Sequence, residues 1–331
     1  MSSAKYPVGI IGGGAWGTAL AAVMTQIHDD VLIWAREDEV VAGINDAHEN
    51  ATFLAGLKLS PKIVATGHLN RMAECGALLV VTPAQHVRAT LAALPDTPAP
   101  LLLCAKGIEA ETQMLVSDIA AEVRPDNPLA VLSGPTFAHE VAAGKPTAIT
   151  LATPNQAIGS MLIRLIAAPH FRPYWSDDVV GAEIGGAVKN VLAIGCGVVD
   201  GAGLGLNARA ALIARGFAEM QRYGLARGGR AETLAGLSGL GDLVLTCSSE
   251  NSRNFSLGRG LGQGIPAAEM LADRRTVAEG AFTAPVLAQS AQKLGVDMPI
   301  VAAVCALLDG SATVSEVTAT LLARPLKAES W

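Results

Sequence analysis

The chain is 331 residues long, half of its residues are hydrophobic and only 16% are charged. This length and apolar content predict a well-packed protein of two domains, and the net charge of −6 argues against a nucleic-acid-binding surface. Its five cysteines are scattered without a Cys-x-x-Cys pair, which excludes a zinc or disulfide framework. We therefore predict reduced thiols, no metal site and a cytoplasmic location.

The predicted elements begin with a strand, a glycine-rich turn and a helix. The apolar run 8–11 precedes a G-x-G-x-x-G array, and a helical pattern of small residues comes after it. In such an array Gly12 makes the tight turn, Gly14 lets the backbone approach a pyrophosphate, and Gly17 lets the helix pack closely on the strand. The order of strand, turn and helix favours a dinucleotide site over a turn that is glycine-rich only for packing.

The second strand indicates which dinucleotide is bound. In folds that select NAD, an acidic residue closes this strand and holds the ribose 2′-hydroxyl. Here the strand 31–34 is followed by Ala35 and Arg36. Because an arginine suits a 2′-phosphate, the residues favour NADPH over NADH as the cofactor. The alternative is that Arg36 is a solvated residue at a helix start, beside three acidic residues.

Further strand-like runs occur in the first half of the chain. Most are separated by helical segments, and continuous apolar strands that alternate with helices predict a parallel sheet covered on both faces. The strand signals stop near residue 178, and the remainder of the chain is mostly helical. We predict an α/β Rossmann-type doubly wound sheet in a dinucleotide-binding domain over 1–182, followed by an all-α substrate-binding and catalytic domain over 183–331. The strand-like runs are 62–65, 77–81, 100–104, 129–132, 147–152 and 171–175.

The apolar character of the chain invites two other interpretations. Lys5 and the uncharged stretch after it resemble a secretory signal, but three adjacent glycines at 12–14 are poor for an apolar helix. Elsewhere no uncharged apolar run is long enough to cross a bilayer. We therefore predict no membrane span, and the apolar helical half would suit the interface of a homodimer.

Two lysines are candidates for catalysis. The neighbours of Lys189 at three and four helical positions are glycine, leucine and alanine, so its ammonium lies on an apolar face. Desolvation lowers the pKa of an ammonium, which fits Lys189 to exchange a proton near neutral pH. The alternative is a lysine whose head reaches the surface. Lys106 comes just after the strand 100–104, at the edge where open parallel sheets bind ligands.

Three polar stretches could bind the substrate. Asp242 and Thr246 are four residues apart on one predicted helix face, although Asp242 could instead cap the helix. The run 248–254 concentrates hydroxyls and amides around Arg253, whose guanidinium can bind two phosphate oxygens at once. A solvated polar loop is the alternative for this run. The stretch 133–138 lies at the end of another strand and offers backbone N–H groups and a hydroxyl. An ordinary loop is the alternative for this stretch and for Lys106.

Six ordered motifs resemble the bacterial NAD(P)-dependent glycerol-3-phosphate dehydrogenases over essentially the whole chain. The resemblance implies a reversible hydride transfer between a nicotinamide and C2 of dihydroxyacetone phosphate, which yields sn-glycerol 3-phosphate for glycerophospholipid synthesis. It also implies that Lys189 donates and accepts the proton at the C2 oxygen, with Lys106 beside the substrate. The matching motifs are residues 12–20, 106–109, 133–138, 183–190, 239–243 and 252–254.

The resemblance further implies which residues contact each ligand. One departure is His139, where the family commonly carries a lysine, and it leaves the mouth of the site less cationic at neutral pH. The implied substrate contacts are Lys106, Gly134, Thr136, Lys189, Asp242, Ser252, Arg253 and Asn254. To Gly12, Gly14 and Gly17 of the turn, the implied cofactor contacts add Trp16, Arg36, Lys106, Ala138, Arg253, Val277 and Glu279.

Two other functions are compatible with this order of domains. A 6-phosphogluconate-type or hydroxyacid-type dehydrogenase would also use a helix lysine, but the motifs at 239–242 and 252–254 favour the glycerol-3-phosphate enzyme. A dinucleotide-sensing protein without turnover would lack the proton donor or the phosphate-binding arginine. This chain has both Lys189 and Arg253.

Overall fold

The computed structural model describes residues 4–272 and 278–326, and the chain divides into two compact units. The first unit comprises Met1–Ala105 and Leu115–Val179, and the second comprises Lys106–Met114 and Val180–Trp331. The segment Lys106–Met114 therefore makes its contacts with the helical unit, although the sequence pattern places it in the first domain. The domain boundary between residues 182 and 183 stays a prediction.

The first unit is built on one sheet, whose eight strands within the described residues all lie where the strand-like runs predict them. They are β1 (Val8–Ile11), β2 (Val31–Trp34), β3 (Ile63–Thr66), β4 (Leu78–Val80), β5 (Leu101–Leu103), β6 (Leu129–Ser133), β7 (Thr147–Ala152) and β8 (Phe171–Ser176). Their spatial order is β3-β2-β1-β4-β5-β6-β7-β8, and β1 to β6 pair in parallel. This confirms the doubly wound Rossmann-type sheet, in which the strand order reverses between β1 and β4, where such sheets bind ligands.

β7 runs antiparallel to β6, which the alternation of strands and helices does not predict. Ser133 at the end of β6 pairs with Thr150 of β7, so the connection 134–146 turns back at the edge where β6 ends. A parallel return would require this short segment to cross the length of the sheet before β7 begins. The turn therefore keeps residues 134–138 at the carboxyl end of β6.

Helices cover this sheet, and α1 begins directly after the glycine turn. Side chains such as Ile10 and Ile33 are fully buried. Because helices cover both faces of these strands, their sequences are continuous apolar runs. The helices of the first unit are α1 (Ala15–Met24), α2 (Asp38–Ala42), α3 (Val87–Ala93), α4 (Val116–Val123), α5 (Ala138–Ala142) and α6 (Gln156–Ile166).

The second unit is helical, as predicted, and is organised around its first helix. These helices are α7 (Val179–Gly201), α8 (Leu206–Ala226), α9 (Ala231–Leu234), α10 (Asp242–Cys247), α11 (Arg253–Gly262), α12 (Ala267–Met270), α13 (Glu279–Lys293), α14 (Pro299–Leu308) and α15 (Val314–Leu322). Every residue of α7 from Gly181 to Val199 is buried. Polar groups on α7 are therefore held inside the unit, Lys189 among them.

α7 and α11 approach each other closely because glycines lie where they meet. A Cβ added to Gly197 would lie 2.0 Å from the carbonyl oxygen of Phe255, and one added to Gly258 would lie 1.9 Å from that of Ile194. Neither position accepts a side chain without moving backbone. The glycines of α11 also explain why the sequence pattern does not predict this helix, since glycine has a low helix propensity.

α7 is also the one helix of residues 4–272 and 278–326 that is long and apolar enough to cross a membrane by length and composition. However, 89% of its most apolar window is buried inside the protein. A core helix passes the same test, and α7 carries a buried lysine in its middle. Its hydropathy is therefore explained by its place in the core of the second unit.

Glu219 is a buried carboxyl that makes the stability of the second unit depend on pH. It lies on α8 and accepts hydrogen bonds from the backbone N–H groups of Ile300 and Val301, at 2.8 and 3.2 Å, in the first turn of α14. Burial raises the pKa of Glu219 from 4.5 to about 7. Between these values the folded state holds a proton that the unfolded chain releases. The contribution of Glu219 to stability is therefore fully present below pH 4.5 and is lost as the pH rises to about 7.

We expect Glu219→Gln to remove this pH dependence, because an amide does not titrate. A pKa difference of this size corresponds to about 3 kcal/mol of unfolding free energy. Denaturant unfolding of both proteins between about pH 5 and about pH 8 measures it. The wild type should lose more stability than the variant across this range. Parallel curves for the two proteins would show that Glu219 does not titrate there.

Candidate functional site

The glycine turn of the first unit has a geometry that fits a dinucleotide pyrophosphate. Gly12 has a φ of +129°, which side chains other than glycine rarely adopt. A Cβ added to Gly17 would lie 1.9 Å from the carbonyl oxygen of Gly12, whereas one added to Gly14 would meet nothing within 4 Å. Gly14 is the N-cap of α1 and provides no side-chain cap. The start of α1 therefore combines uncapped N–H groups with open space, which is the environment that binds phosphates.

Other predicted cofactor residues of the first unit lie on α1 and just after β2. Trp16 is half-buried in the first turn of α1. Arg36 lies two residues beyond the end of β2, and its side chain is 79% exposed. Its guanidinium donates a hydrogen bond to the neighbouring Glu37 carboxylate at 3.1 Å. An exposed pair of this kind is weak, so the guanidinium remains available to a phosphate.

The stretch after β6 supplies backbone groups and one hydroxyl. A Cβ added to Gly134 would lie 3.1 Å from the Cα of Ile149, so this position is tightly packed against β7. The hydroxyl of Thr136 donates a long hydrogen bond of 3.4 Å to the carbonyl oxygen of Gly134. Ala138 begins α5, and the ring of His139 stacks on that of Phe137. These groups lie at the carboxyl end of β6, as the sequence predicts.

The second unit brings three predicted site residues into one buried ion cluster. The Nζ of Lys189 donates to Oδ1 of Asp242 at 2.6 Å, and the Nζ of Lys106 donates to Oδ2 at 2.7 Å. The Asp242 side chain is fully buried, and those of Lys189 and Lys106 are 7% and 15% exposed. One carboxylate thus bridges two ammonium groups.

Three separate segments supply this ion cluster. Lys189 comes from the middle of α7, Lys106 from the segment Lys106–Met114, and Asp242 from the first turn of α10. Thr246 lies one turn further along α10, where its Oγ1 accepts from Nζ of Lys189 at 2.9 Å and donates to Oδ1 of Asp242 at 3.3 Å. The predicted shared helix face of Asp242 and Thr246 is confirmed. Asp242 is not the N-cap of α10, which is Gly241.

Burial gives Lys189 an unusual protonation equilibrium. It lowers the pKa of Lys189 from 10.5 to about 8, although the attraction of Asp242 raises it. The positive charge of Lys106 acts in the same direction as burial. Because both protonation states of Lys189 are then accessible near neutral pH, this side chain can act as a proton donor and as a proton acceptor.

A second polar cluster connects α7, α11 and α13. Nδ2 of Asn254 donates to Oδ1 of Asn190 at 3.0 Å, and Oδ1 of Asn254 accepts from the backbone N–H of Gly280 at 2.9 Å. Ser252 is the N-cap of α11, and its hydroxyl oxygen accepts from the backbone N–H of Phe255 at 3.2 Å. The polar run 248–254 therefore ends in the first turn of a helix.

The remaining predicted residues of the second unit lie at helix starts. Arg253 is the first residue of α11 and is exposed, and its guanidinium has no hydrogen-bond or ion-pair partner in the part of the chain that the structure describes. Glu279 begins α13 and is half-buried. Val277, predicted to contact the cofactor, lies outside the described residues.

Two buried asparagines near these groups are not among the predicted site residues. Asn190 comes directly after Lys189, and its place in the same apolar helix was the signal that could have identified it. Asn50 is only 1% exposed, and its Nδ2 donates to the Gly13 carbonyl oxygen and to Oγ1 of Thr18, both at 2.8 Å. It lies in a mixed run of polar and apolar residues, so nothing local distinguishes it from an ordinary loop residue.

Comparisons with known proteins match this arrangement along the whole chain. Models of the N-terminal and C-terminal parts of NAD-dependent glycerol-3-phosphate dehydrogenase match residues 7–159 and 178–319. A relative named as an NAD(P)+ glycerol-3-phosphate dehydrogenase, from Erythrobacter litoralis, is 62% identical over 322 residues, or 97% of each chain. Another with that name, from Sphingopyxis alaskensis, is 59% identical over 321 residues, again 97% of each chain.

A solved structure agrees with these sequence matches. The crystal structure of glycerol-3-phosphate dehydrogenase from Coxiella burnetii matches with a TM-score of 0.92 and 36% identity, and the match covers 97% of this chain and 99% of that one. Both halves of the sequence, and the fold, thus match glycerol-3-phosphate dehydrogenases. The chain belongs to the NAD-dependent glycerol-3-phosphate dehydrogenase family.

Proposed function

We propose that this protein catalyses the reversible NAD(P)H-dependent reduction of dihydroxyacetone phosphate to sn-glycerol 3-phosphate. The observation that carries the proposal is the buried Lys189, whose pKa is lowered to about 8 and whose ammonium is held by Asp242. Reduction of a carbonyl requires a hydride at carbon and a proton at oxygen, and Lys189 supplies the proton. Family membership supplies the substrate class.

The first unit would hold the dinucleotide at its glycine turn. The open space beside Gly14 fits the pyrophosphate, and the uncapped start of α1 adds N–H donors and a partial positive charge. When bound, the dinucleotide supplies the hydride for reduction and accepts it for oxidation. Trp16 and Ala138 on this unit, and Glu279 on the second, are the further cofactor contacts that we propose.

Lys189 is positioned to use one of its three N–H bonds on the substrate. Two of them are directed to Asp242 and Thr246, at 2.6 and 2.9 Å, which leaves the third for the C2 oxygen. During reduction this N–H proton is transferred to the oxygen as negative charge develops there. Burial stabilises the neutral amine that remains. In the reverse direction the amine accepts the proton of the C2 hydroxyl.

Lys106 and Asp242 support this transfer in different ways. Lys106 adds a second positive charge near the reacting oxygen, which favours the developing negative charge. Both oxygens of Asp242 already accept hydrogen bonds from the two lysines. We therefore propose that Asp242 acts on the substrate through those lysines, by fixing where their ammonium groups lie.

The start of α11 is the proposed binding site for the substrate phosphate. Arg253 offers an exposed guanidinium, Ser252 keeps the hydrogen of its hydroxyl to donate, and Asn254 keeps one N–H. Phosphate binding at a distance from the reacting carbon would orient that carbon and contribute to catalysis. Gly134 and Thr136 are the further substrate contacts that the resemblance implies.

A spectrophotometric assay tests the function directly. The purified protein is mixed with dihydroxyacetone phosphate and either NADPH or NADH, and oxidation of the cofactor is monitored. Dihydroxyacetone, which lacks the phosphate, is the matched control substrate. We expect oxidation that depends on the phosphate and a product that is the sn-3 enantiomer. No oxidation by protein that binds NADPH would overturn the proposal and favour a dinucleotide sensor.

We expect Arg36→Ala to raise the KM for NADPH by about tenfold and to leave that for NADH nearly unchanged, because only NADPH carries the 2′-phosphate. Initial rates with each cofactor measure the two constants. Arg172→Ala removes another exposed arginine from the same unit and serves as the control. An equal change with both cofactors would remove the argument that Arg36 binds the 2′-phosphate.

We propose a cytoplasmic homodimer that supplies glycerophospholipid synthesis. The five cysteines are free thiols, four of them buried, which suits a reducing compartment. Leu204 and Leu206 expose apolar surface at the start of α8, which a second copy could cover. Analytical ultracentrifugation over a range of concentrations measures the assembly, and a monomer throughout would contradict the dimer.

A further inference from the structure

We propose that Asn50 is a positioning residue that turns one peptide of the glycine turn so that its N–H points toward the dinucleotide pyrophosphate. The proposal rests on the dinucleotide binding proposed above. It concerns a residue in the connection between α2 and β3 that neither the motifs nor the family resemblance assigns. It would explain how the turn keeps its donors oriented before any ligand binds.

The Asn50 side chain is fully engaged in hydrogen bonds inside the first unit. Nδ2 donates to the Gly13 carbonyl oxygen and to Oγ1 of Thr18, both at 2.8 Å, and Oδ1 accepts from the backbone N–H of Phe53 at 3.1 Å. This pattern sets the orientation of the amide, because the opposite orientation would place donor against donor at Phe53 and acceptor against acceptor at Gly13. Asn50 therefore holds the Gly13 carbonyl by a specific donor.

Planarity of the peptide carries this constraint to Gly14. The carbonyl of Gly13 and the N–H of Gly14 belong to one trans peptide, so they point in opposite directions. Since the carbonyl faces the buried Asn50, the N–H of Gly14 is turned away from it. This N–H makes no hydrogen bond within residues 4–272 and 278–326, and a Cβ on Gly14 would enter open space. An unpaired donor beside open space is what a phosphate oxygen needs.

The contact with Thr18 ties the same peptide to α1. Thr18 lies on the buried side of the first turns of α1, and Asn50 is its hydrogen-bond donor across 32 positions of sequence. Oγ1 of Thr18 also donates to the Gly13 carbonyl oxygen, at the longer distance of 3.5 Å. The N–H of Gly14 and the N–H groups at the start of α1 are therefore held relative to each other by Asn50 and Thr18 together, with Asn50 making the shorter contact. Loss of Asn50 would let the peptide rotate, and the donors would no longer converge on one anion.

Asn50→Asp tests this orientation with almost no change in size. The new carboxylate oxygen would face the Gly13 carbonyl oxygen and repel it, and the neutral variant Asn50→Ala removes the donor without adding charge. Calorimetry on the folded proteins measures Kd for NADPH, for ADP-ribose, which keeps the pyrophosphate, and for adenosine 2′-monophosphate, which lacks it. We expect both variants to weaken the first two ligands by about tenfold and the third by less than about twofold.

Asn45→Asp is the matched control. The Asn45 side chain also braces backbone in the first unit, with Nδ2 donating to the Ala65 carbonyl oxygen at 3.0 Å and Oδ1 accepting from the Ala65 N–H at 2.8 Å. The same substitution there breaks the same kind of contact at β3 instead of at the glycine turn. We expect it to lower thermal stability and to leave all three Kd values unchanged.

A spectroscopic measurement separates positioning from general loosening. In the wild type, ADP-ribose should shift the amide proton resonance of Gly14, because a phosphate oxygen becomes its acceptor, and this shift should be absent in Asn50→Ala. Equal weakening of all three ligands, or weakening of NADPH by Asn45→Asp to the same degree, would overturn the positioning role. A wild-type protein that binds none of the three ligands would instead contradict dinucleotide binding itself.

Discussion

Replacing Lys189 with methionine is expected to lower kcat for dihydroxyacetone phosphate reduction by about a thousandfold, because the C2 oxygen loses its proton donor. Methionine fills a similar space in the buried face of α7. Asp242 keeps its hydrogen bond from Lys106 at 2.7 Å, so its carboxylate is not left without a cation. Steady-state rates measure the loss, and fluorescence titration should show Kd for NADPH within about twofold of the wild type.

The pH profile provides the second half of this test. Reduction requires protonated Lys189, so wild-type kcat/KM should fall as the pH rises above about 8, and the oxidation of glycerol 3-phosphate should increase up to that pH. Lys189→Arg retains the positive charge but not a proton that can be released in this range. An active arginine variant would mean that the site needs only the charge and that Lys189 is not the proton donor.

Asp242→Asn should shift this pH profile toward lower pH. The attraction of Asp242 raises the pKa of Lys189 and the charge of Lys106 lowers it, so removal of the carboxylate leaves two ammonium groups without their shared partner. We expect kcat/KM for reduction at about pH 8 to fall by about a hundredfold and to recover in part at lower pH. Loss of a partner in a buried ion cluster should also cost about 3 kcal/mol of unfolding free energy.

Thr246→Val is the control for Asp242→Asn, and it keeps the test informative if the asparagine variant folds poorly. It removes the hydrogen bonds of the Thr246 hydroxyl with Lys189, at 2.9 Å, and with Asp242, at 3.3 Å, without changing any charge. The expected cost is about 1 kcal/mol of stability, with little displacement of the pH profile. If Asp242→Asn and the wild type had the same alkaline limb, Asp242 could not be what sets the protonation of Lys189.

The sheet was predictable because its physical requirement is local. A parallel strand buried on both faces has to be continuously apolar, so the parallel strands β1 to β6 leave visible apolar runs in the sequence. The glycine turn is visible for a similar reason, since its backbone geometry excludes other residues. The antiparallel direction of β7 was not predictable from these patterns. It depends on whether the connection 134–146 turns back at the end of β6 or crosses to the other edge of the sheet, and no local pattern records that path.

The candidate site was predictable only in part, because its contacts join distant segments. The spacing of Asp242 and Thr246 places them on one helix face, but no local pattern shows that Lys189 and Lys106 meet there. Lys106 is 136 positions from Asp242 in the chain. Asn50 is harder still to identify from the sequence, because the carbonyl to which it donates is that of Gly13, 37 positions earlier.

The glycine contact between α7 and α11 has a consequence for mutational tolerance. Gly197 lies eight positions after Lys189, about 12 Å along the axis of α7, so it is separate from the proposed proton donor. Yet any side chain at Gly197 or Gly258 would meet carbonyl oxygens of the facing helix. In a saturation screen that measures protein abundance, replacements at both codons should lower the amount of folded protein. The residues that this chain cannot replace would then include the two glycines that set the distance between α7 and α11, in addition to the side chains of the candidate site.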